Sequence, residues 1–261
     1  MKPTPRPARS PRTPRLSLYA ASFLLALTSA SAAAGAGTGP FGVSVFAGAT
    51  ARGARVGALF AADRRDSLRG GHFCTASVVH SAHRNLIVTA AHCLGGKKRD
   101  MVFVPGYRDG EAPYGVWKVG RRFLSKAWQE RRDEDSDVAF LAVGDQGGEG
   151  VEDVVGGNRL AVGAVPGGTA VTVTAYPNAD EEPVSCTNKP HLRGRTQQAI
   201  ACPGFAGGSS GSPWISGDEA VVGVLGGHDN GGTSANVSYS VVLGADAAEL
   251  YHEAERESAS N

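Results

Sequence analysis

Short runs of β-branched and aromatic residues recur along the chain, separated by turns rich in glycine and polar residues. Such runs predict β-strands, because branched and aromatic side chains fit a pleated, half-buried surface. A first set lies at residues 56–60, 72–79, 85–90, 101–104, 114–119 and 137–143. A second set lies at residues 169–176, 197–202, 213–216, 220–225 and 238–242. Between them a glycine-rich stretch at 147–157 is interpreted as a linker joining two halves of an all-β protein.

A helical repeat of apolar residues is convincing only near the C-terminus, from residue 245 to about 255. There Ala248, Leu250 and Tyr251 would lie on one face and pack against the strands. The sequence therefore predicts a β-rich body at residues 56–261 with a helix near its end.

The first 32 residues have the composition of an export signal. An apolar run at 16–27 is too short to span a bilayer, and small residues follow it at 30–32. Five basic residues precede the run: Lys2, Arg6, Arg9, Arg12 and Arg15. No two of them are adjacent, which favours the general secretory route over the twin-arginine route. Residues 33–55 are rich in glycine, alanine and serine, and we expect them to be a propeptide or linker.

Removal of this leader changes the sign of the net charge. The whole chain carries +1 at pH 7, loss of the five basic residues of the leader leaves −4, and further loss of Arg52 and Arg55 leaves −6. An acidic protein repels a phosphate backbone, which argues against a nucleic-acid partner. No apolar run of 18 residues follows the leader, so no membrane contact is expected after its removal.

Four cysteines lie in the exported part: Cys74, Cys93, Cys186 and Cys202. An even number in an oxidising compartment implies two disulfides. Of the three possible connectivities, the sequence-local pairs Cys74–Cys93 and Cys186–Cys202 are the simplest, because each would staple one half of the chain. A zinc site is a weaker interpretation, since no C-x-x-C spacing occurs. No metal and no other cofactor are expected.

Three short segments carry residues suited to acyl transfer. His92 lies in T-A-A-H-C after a predicted strand, Asp137 heads the segment D-V-A-F-L, and three serines lie in G-G-S-S-G-S-P-W at 207–214. A serine hydroxyl becomes nucleophilic when an imidazole takes its proton, and a buried carboxylate holds that imidazole in the right tautomer. Glycines beside the serine let backbone N–H groups turn toward the developing oxyanion. Segment 208–212 does not fit the G-x-S-x-G of the α/β-hydrolases.

These segments resemble those of the trypsin/chymotrypsin family of serine peptidases, and the resemblance runs from about Val56 to Tyr251. The family has T-A-A-H-C at its catalytic histidine, matched by His92, and D-[IV]-A-[LF]-L at its aspartate, matched by Asp137. Its nucleophile motif, G-D-S-G-G-P, aligns with this chain in one register only, and that register makes Ser210 the nucleophile.

The resemblance implies two antiparallel six-stranded β-barrels, at about 56–147 and 157–243, with the site in the cleft between them and a terminal helix at 245–255. It implies that the backbone N–H groups of Gly208 and Ser210 bind the oxyanion. It supports the disulfide Cys74–Cys93, because the family joins a cysteine on the strand before the histidine to the one directly after it. The expected function is a secreted, monomeric serine endopeptidase acting on polypeptides through an acyl-enzyme.

The chain departs from the animal members of the family at Ser209, where they have an aspartate that pairs with a freed N-terminal ammonium. Arg55-Val56-Gly57 resembles the cleavage point that frees this ammonium, yet the expected carboxylate is missing. We therefore hypothesise processing after Arg55 and an activation switch without an ion pair at residue 209. Serine at this position resembles bacterial secreted relatives, including the glutamyl endopeptidases.

The resemblance also implies a specificity pocket. Its floor lies about six residues before the nucleophile, near Gly204, and the lack of an acidic residue there argues against cleavage after arginine or lysine. Its walls would be Gly226, Gly227, His228 and the segment around Val237. His228 would either receive an acidic side chain, as a histidine does in glutamyl endopeptidases, or lie in an exposed loop.

Two other functions are compatible with the same fold. One is a catalytically inactive secreted binding module, which is disfavoured because all three triad residues are present. The other is an esterase, which matched ester and amide substrates would distinguish from a peptidase.

Overall fold

The computed structural model describes residues 1, 3–4, 40–95, 100–164 and 167–259. The predicted leader, residues 1–32, therefore lies almost entirely outside the described residues. The strands are β1 (Ser44–Phe46), β2 (Val56–Ala61), β3 (His72–Val78), β4 (Leu86–Thr89), β5 (Met101–Pro105), β6 (Trp117–Leu124), β7 (Ala139–Val143), β8 (Arg159–Leu160), β9 (Val171–Ala175), β10 (Val184–Asn188), β11 (His191–Arg193), β12 (Gln197–Ala201), β13 (Pro213–Ser216), β14 (Ala220–Val224) and β15 (Val237–Val241). The α-helices are α1 (Lys126–Arg131), α2 (Val151–Val155) and α3 (Ala245–Glu257). Short 3₁₀-helices lie at Gly53–Arg55, Ala62–Arg64, Ala91–Leu94, Glu134–Ser136 and His228–Gly231.

The first half of the fold is a closed barrel in the order β2-β3-β4-β7-β6-β5, with antiparallel ladders throughout. Large side chains fill its interior, among them Leu59, Phe103 and Phe140, all fully buried. Every residue of β4 and β7 is buried, which explains why these strands read as continuous apolar runs. The predicted first barrel is confirmed.

The second half forms two sheets within the described residues, in the orders β1-β10-β9-β13-β14-β8 and β11-β12-β15. A single β-bridge in the described part of the chain, between Leu225 and Ser240, joins the two sheets of this half, which the sequence predicts as a second barrel. After β14 the chain passes through an irregular turn in which Asp229 and Asn230 both have positive φ. The all-β class and the terminal helix are confirmed.

Some elements were absent from the sequence prediction. Strand β1 lies within the expected linker 33–55 and pairs antiparallel with β10, which was also not predicted. Helix α2 lies within the expected linker 147–157, and its Val151 is fully buried. Helix α1 is capped at its N-terminus by Ser125, whose side chain accepts a hydrogen bond from the backbone N–H of Trp128. These elements are only three to six residues long, so their pattern was too short to detect.

Helix α3 packs one face against the first barrel, as its periodicity predicted. Leu250 and Ala254 are buried, and the ring of Tyr251 stands 5.4 Å from that of Phe140 on β7. None of the helices in the described part of the chain combines the length and apolar character needed to cross a membrane.

Candidate active site

Two neighbouring strands of the first barrel bring His92 and Asp137 together. Strands β4 and β7 are antiparallel, and Thr89 at the end of β4 pairs with Ala139 at the start of β7. His92 follows Thr89 by three residues, in the 3₁₀-helix Ala91–Leu94, and Asp137 precedes Ala139 by two. Both residues therefore lie just outside these strands, at the same edge of the barrel.

The carboxylate of Asp137 is fully buried and accepts three hydrogen bonds. Oδ1 accepts a hydrogen bond from the backbone N–H of His92 at 2.8 Å. Oδ2 accepts hydrogen bonds from Nδ1 of His92 and from the backbone N–H of Gly227, each at 2.7 Å. A carboxylate at Nδ1 favours the tautomer protonated there, which leaves Nε2 of His92 as the basic nitrogen. The bond from Gly227 ties the second half of the chain to the aspartate of the first.

The turn carrying Ser210 is pressed against the same edge of the first barrel. The backbone N–H of Thr75 donates to the carbonyl of Ser210 at 2.7 Å, and that of Gly211 donates to Leu225 at 2.8 Å. A β-carbon on Gly211, whose φ is +87°, would lie 2.0 Å from the carbonyl oxygen of Thr75 and 2.2 Å from Oγ1 of Thr89. Only glycine fits here. The absence of a side chain at Gly211 lets the turn of half-buried Ser210 approach β3 and β4, and His92 follows β4 in the chain.

Gly208 shows a similar close approach on the other side of Ser210. Its φ is +96°, and a β-carbon would lie 2.3 Å from Oδ1 of Asn178 and 2.5 Å from the carbonyl oxygen of Tyr176. The backbone N–H groups of Gly208 and Ser210 donate to no acceptor in the described part of the chain. These are the two groups that the sequence predicts as oxyanion donors.

Both predicted disulfides are present. Cys74 on β3 is joined to Cys93, the neighbour of His92, and Cys186 on β10 is joined to Cys202. The first disulfide links the strand that contacts the carbonyl of Ser210 to the turn that carries His92. The side chains of Cys74 and Cys93 are thereby unavailable as metal ligands, because a cysteine ligand must be a free thiolate.

The predicted pocket residues divide into two groups. Gly226 and Gly227 lie against Asp137, and the backbone N–H of Gly226 also donates to the carbonyl of Tyr239 at 2.9 Å. Gly204 is exposed, has a φ of +88°, and leaves open space where its β-carbon would stand. The assignment of these glycines to a specificity pocket stays a prediction.

His228 is half-buried and lies between two carboxylates. Its Nδ1 is 3.4 Å from Oε2 of Glu134, its Nε2 is 3.1 Å from Oδ2 of Asp229, and its ring packs edge-on against Tyr239. The three side chains lie close enough to offer ligands to one cation, although each ring nitrogen of His228 faces a different carboxylate. A substrate carboxylate approaching His228 would meet this negative charge.

Sequence reasoning missed two residues that contact the Ser210 turn. The hydroxyl of Thr75 donates to the carbonyl of Gly208 at 3.0 Å and accepts the backbone N–H of Tyr176 at 3.0 Å. The backbone N–H of Asn178 donates to the carbonyl of Gly207 at 2.7 Å. No local pattern marks either residue, because each contact joins positions more than twenty-five residues apart. Burial raises the pKa of the Tyr176 phenol, so that side chain stays neutral.

The position where animal family members carry an aspartate is neutral in this chain. Ser209 is fully buried, and its Oγ has no hydrogen-bond partner among the described residues. Its carbonyl accepts the hydroxyl of Ser212 at 2.6 Å. Near the predicted processing point, Arg55 is ion-paired with Glu219 at 2.6 Å and donates to Oδ1 of Asn158.

Comparison with known proteins agrees with this geometry. Residues 74–224 match the family model described as a trypsin-like peptidase domain. No curated protein sequence matches the chain.

Three of the solved structures similar to this chain are proteases. The thermostable serine protease AL20 from an extremophilic microorganism is 30% identical, with a TM-score of 0.68 over 80% of this chain and 100% of that one. The protease Anisep from Arthrobacter nicotinovorans is 26% identical, with a TM-score of 0.67 over 78% and 96%. A Glu endopeptidase is 16% identical, with a TM-score of 0.65 over 84% and 99%, a likeness of fold alone.

Proposed function

This chain belongs to the trypsin-like peptidase family and is a serine-type peptidase, and from that premise we propose that it is a secreted endopeptidase with the triad Ser210, His92 and Asp137. The observation that carries the proposal is the buried carboxylate of Asp137 bonded at 2.7 Å to Nδ1 of His92. This is the arrangement that a serine nucleophile requires of its base.

In the first step, Oγ of Ser210 attacks the carbonyl carbon of a peptide bond while Nε2 of His92 takes the hydroxyl proton. The positive charge on the imidazole is stabilised by Asp137, which remains a carboxylate. The oxyanion of the tetrahedral intermediate accepts hydrogen bonds from the backbone N–H groups of Gly208 and Ser210. Each such donor contributes about 3–4 kcal/mol in enzymes of this kind.

The intermediate then collapses, and the bond from carbon to the amide nitrogen breaks as His92 returns its proton to the leaving amine. The acyl group stays on Ser210 as an ester. Water attacks this ester with His92 again as base, and the released acid and free Ser210 complete the cycle. Each proton taken from a nucleophile returns to a leaving group, so the cycle needs no outside reactant except water.

Export is the second part of the proposal. The basic and apolar leader at residues 1–32 would direct the chain out of the cytoplasm. The two disulfides, with no free cysteine among the described residues, support an oxidising destination. The expected partners are polypeptide substrates, met by a monomer.

The preferred residue at the cleavage site is only partly constrained. Gly204 contributes no charge to the predicted pocket floor. A substrate arginine or lysine would therefore find no carboxylate there to pair with. Glu134 and Asp229 already face both ring nitrogens of His228, and for that reason a preference for acidic side chains is not part of the proposal. Profiling cleavage of a peptide library by the secreted protein would identify the preferred residue.

A fluorophosphonate probe tests the proposed triad, because it reacts with activated serines. We expect labelling of the wild-type protein, none of Ser210→Ala, and labelling slowed by about 10⁴-fold in Asp137→Asn, which puts the wrong tautomer of His92 at the nucleophile. Ser67→Ala is the matched control, since it removes the hydroxyl of an exposed serine between β2 and β3. Correctly folded wild-type protein that resists the probe would rule the proposal out and leave the inactive binding module.

A further inference from the structure

The turn that presents Ser210 has every backbone carbonyl from residue 206 to residue 210 engaged in a hydrogen bond. The pairs are Ala206 with Ser209 N at 3.1 Å, Gly207 with Asn178 N at 2.7 Å, Gly208 with Thr75 Oγ1 at 3.0 Å, Ser209 with both Ser212 Oγ at 2.6 Å and Ser212 N at 3.1 Å, and Ser210 with Thr75 N at 2.7 Å. The N–H groups of Gly208 and Ser210 donate to none of the described residues. The turn is therefore anchored through its carbonyls.

Peptide planarity converts these anchors into an orientation for the two free N–H groups. In a trans peptide the carbonyl oxygen and the N–H of the next residue point in opposite directions. Holding the carbonyl of Gly207 thus aims the N–H of Gly208 away from Asn178. Holding the carbonyl of Ser209 in the same way aims the N–H of Ser210 away from Ser212.

Two of the anchors are buried side-chain hydroxyls, those of Thr75 and Ser212. The N–H of Tyr176 can only donate, so the lone pair of Thr75 Oγ1 receives it and the hydroxyl proton is left for the carbonyl of Gly208. Thr75 therefore clamps the peptide that lies between the two oxyanion donors. Ser212 clamps the peptide that supplies the second donor.

No charge takes part in this arrangement. Residues 203–213 contain no ionisable side chain, and Ser209 is the neutral residue where animal family members place an aspartate. Every anchor of the five carbonyls is a neutral hydrogen bond within the described chain. The orientation of the donors is thus complete without an ion pair at residue 209.

We propose that Thr75 and Ser212 are positioning residues whose hydroxyls hold the oxyanion site in its active form, in place of the ion pair between an N-terminal ammonium and an aspartate. The proposal rests on the proposed function, because an oxyanion arises only when Ser210 attacks a carbonyl. It answers how a chain with serine at residue 209 organises its site. It also implies that the site forms without release of a new N-terminus at Val56.

The test compares Thr75→Val, which keeps the shape of the side chain but loses the hydroxyl, with Thr75→Ser, which keeps the hydroxyl. Ser212→Ala is the second loss variant. Thr187→Val is the matched control, because it removes a buried threonine hydroxyl that bonds Thr172 on the second-half sheet. The substrate is a peptide amide taken from the cleavage profile of the wild-type enzyme, and folding is checked by thermal melting and near-ultraviolet circular dichroism.

We expect Thr75→Val and Ser212→Ala to lower kcat by about 10- to 100-fold with KM changed less than about twofold, since misplaced donors weaken transition-state binding. Thr75→Ser and Thr187→Val should keep kcat within about threefold of wild type. A peptide aldehyde, whose hemiacetal oxygen occupies the oxyanion site, should lose affinity in parallel with kcat/KM. Affinity for the corresponding peptide alcohol, which has no carbonyl oxygen to occupy that site, should stay the same, and a merely structural defect would not separate these two ligands.

If the Thr75→Val and Ser212→Ala variants fold and have the same kcat as the wild type, this proposal is overturned and the proposed function still stands. A wild-type protein that does not react with the fluorophosphonate overturns both. If Thr75→Val fails to fold, Ser212→Ala gives the deciding kcat, because it removes a single oxygen atom.

Discussion

Gly226 lies directly against the carboxylate of Asp137, so that a β-carbon on Gly226 would stand 2.7 Å from Oδ2 of Asp137. The same β-carbon would be 3.1 Å from that of Ala90, which closes the other side. The carboxylate of Asp137 cannot move away without loss, because it accepts hydrogen bonds from three N–H groups. We expect Gly226→Ala to displace the carboxylate and lower kcat by about 10- to 100-fold with little change in KM, as measured on a cleaved peptide.

The control for this substitution is Gly217→Ala. Gly217 is exposed, and a β-carbon there would meet no atom within 4 Å. Its kcat should equal that of the wild type. Wild-type kcat in Gly226→Ala would contradict the steric argument.

The disulfide between Cys186 and Cys202 should contribute mainly to stability. It spans a sequence separation of 16, and closing a loop of this length stabilises a fold by about 3 kcal/mol. We expect the double alanine variant to lose about that free energy of unfolding in urea. The disulfide Cys74–Cys93, with a separation of 19, is the comparison. Its removal should reduce stability similarly and kcat more strongly, since it joins the strand of Thr75 to the turn of His92.

The ion pair between Arg55 and Glu219 predicts an acid dependence of stability. The hydrogen bond from Arg55 and its charge lower the pKa of Glu219 below its usual value of 4.5. A carboxyl whose pKa is lower in the folded state than in the unfolded state stabilises the fold. Its contribution is fully present above the unfolded-state pKa and is lost as pH falls through the folded-state pKa. Glu219→Gln should therefore unfold at lower urea concentration than wild type at pH 7, with the difference shrinking below about pH 4.5.

Glu130→Gln is the control for that comparison, because Glu130 pairs with Lys126 on the exposed face of α1. It should leave the urea midpoint nearly unchanged at both pH values. A deficit in Glu219→Gln that stays constant down to acid pH would argue against the ion pair as its cause.

The contacts of residues 40–55 lead us to expect that the mature protein retains them. Strand β1 pairs with β10, the hydroxyl of Ser44 donates to the carbonyl of Pro203, and Arg55 bonds Glu219. The first residue of the secreted protein should therefore precede Pro40, whereas the sequence alone predicted a start at Val56. N-terminal sequencing and intact mass decide between them, and a start at Val56 would restore cleavage after Arg55.

Strands could be predicted where the local pattern was strong. The run at 85–90 became β4, and the run at 137–143 became β7, because their side chains are apolar enough to require burial. Strand β10 escaped prediction because its sequence, V-S-C-T-N, has one large apolar residue and depends on pairing with β9 and β1. The propensity of such a segment is overridden by its tertiary neighbours.

The candidate site divides in the same way. His92, Asp137 and Ser210 are recognisable because each lies in a short segment whose neighbours serve the same chemistry. Thr75 carries no such signal, since its hydroxyl meets Gly208, a residue 133 positions away.

The sequence by itself determined the class of fold and the order of the chemical groups, because each depends on residue type and near spacing. It favoured the pairing of the cysteines that the structure shows. Only the tertiary structure decided that the second half forms two sheets and that the ring nitrogens of His228 contact the carboxylates of Glu134 and Asp229. It also decided which hydroxyls hold the turn of Ser210. These features depend on contacts between residues far apart in the chain, and a local pattern cannot specify which distant partner a polar group will find once the strands have packed.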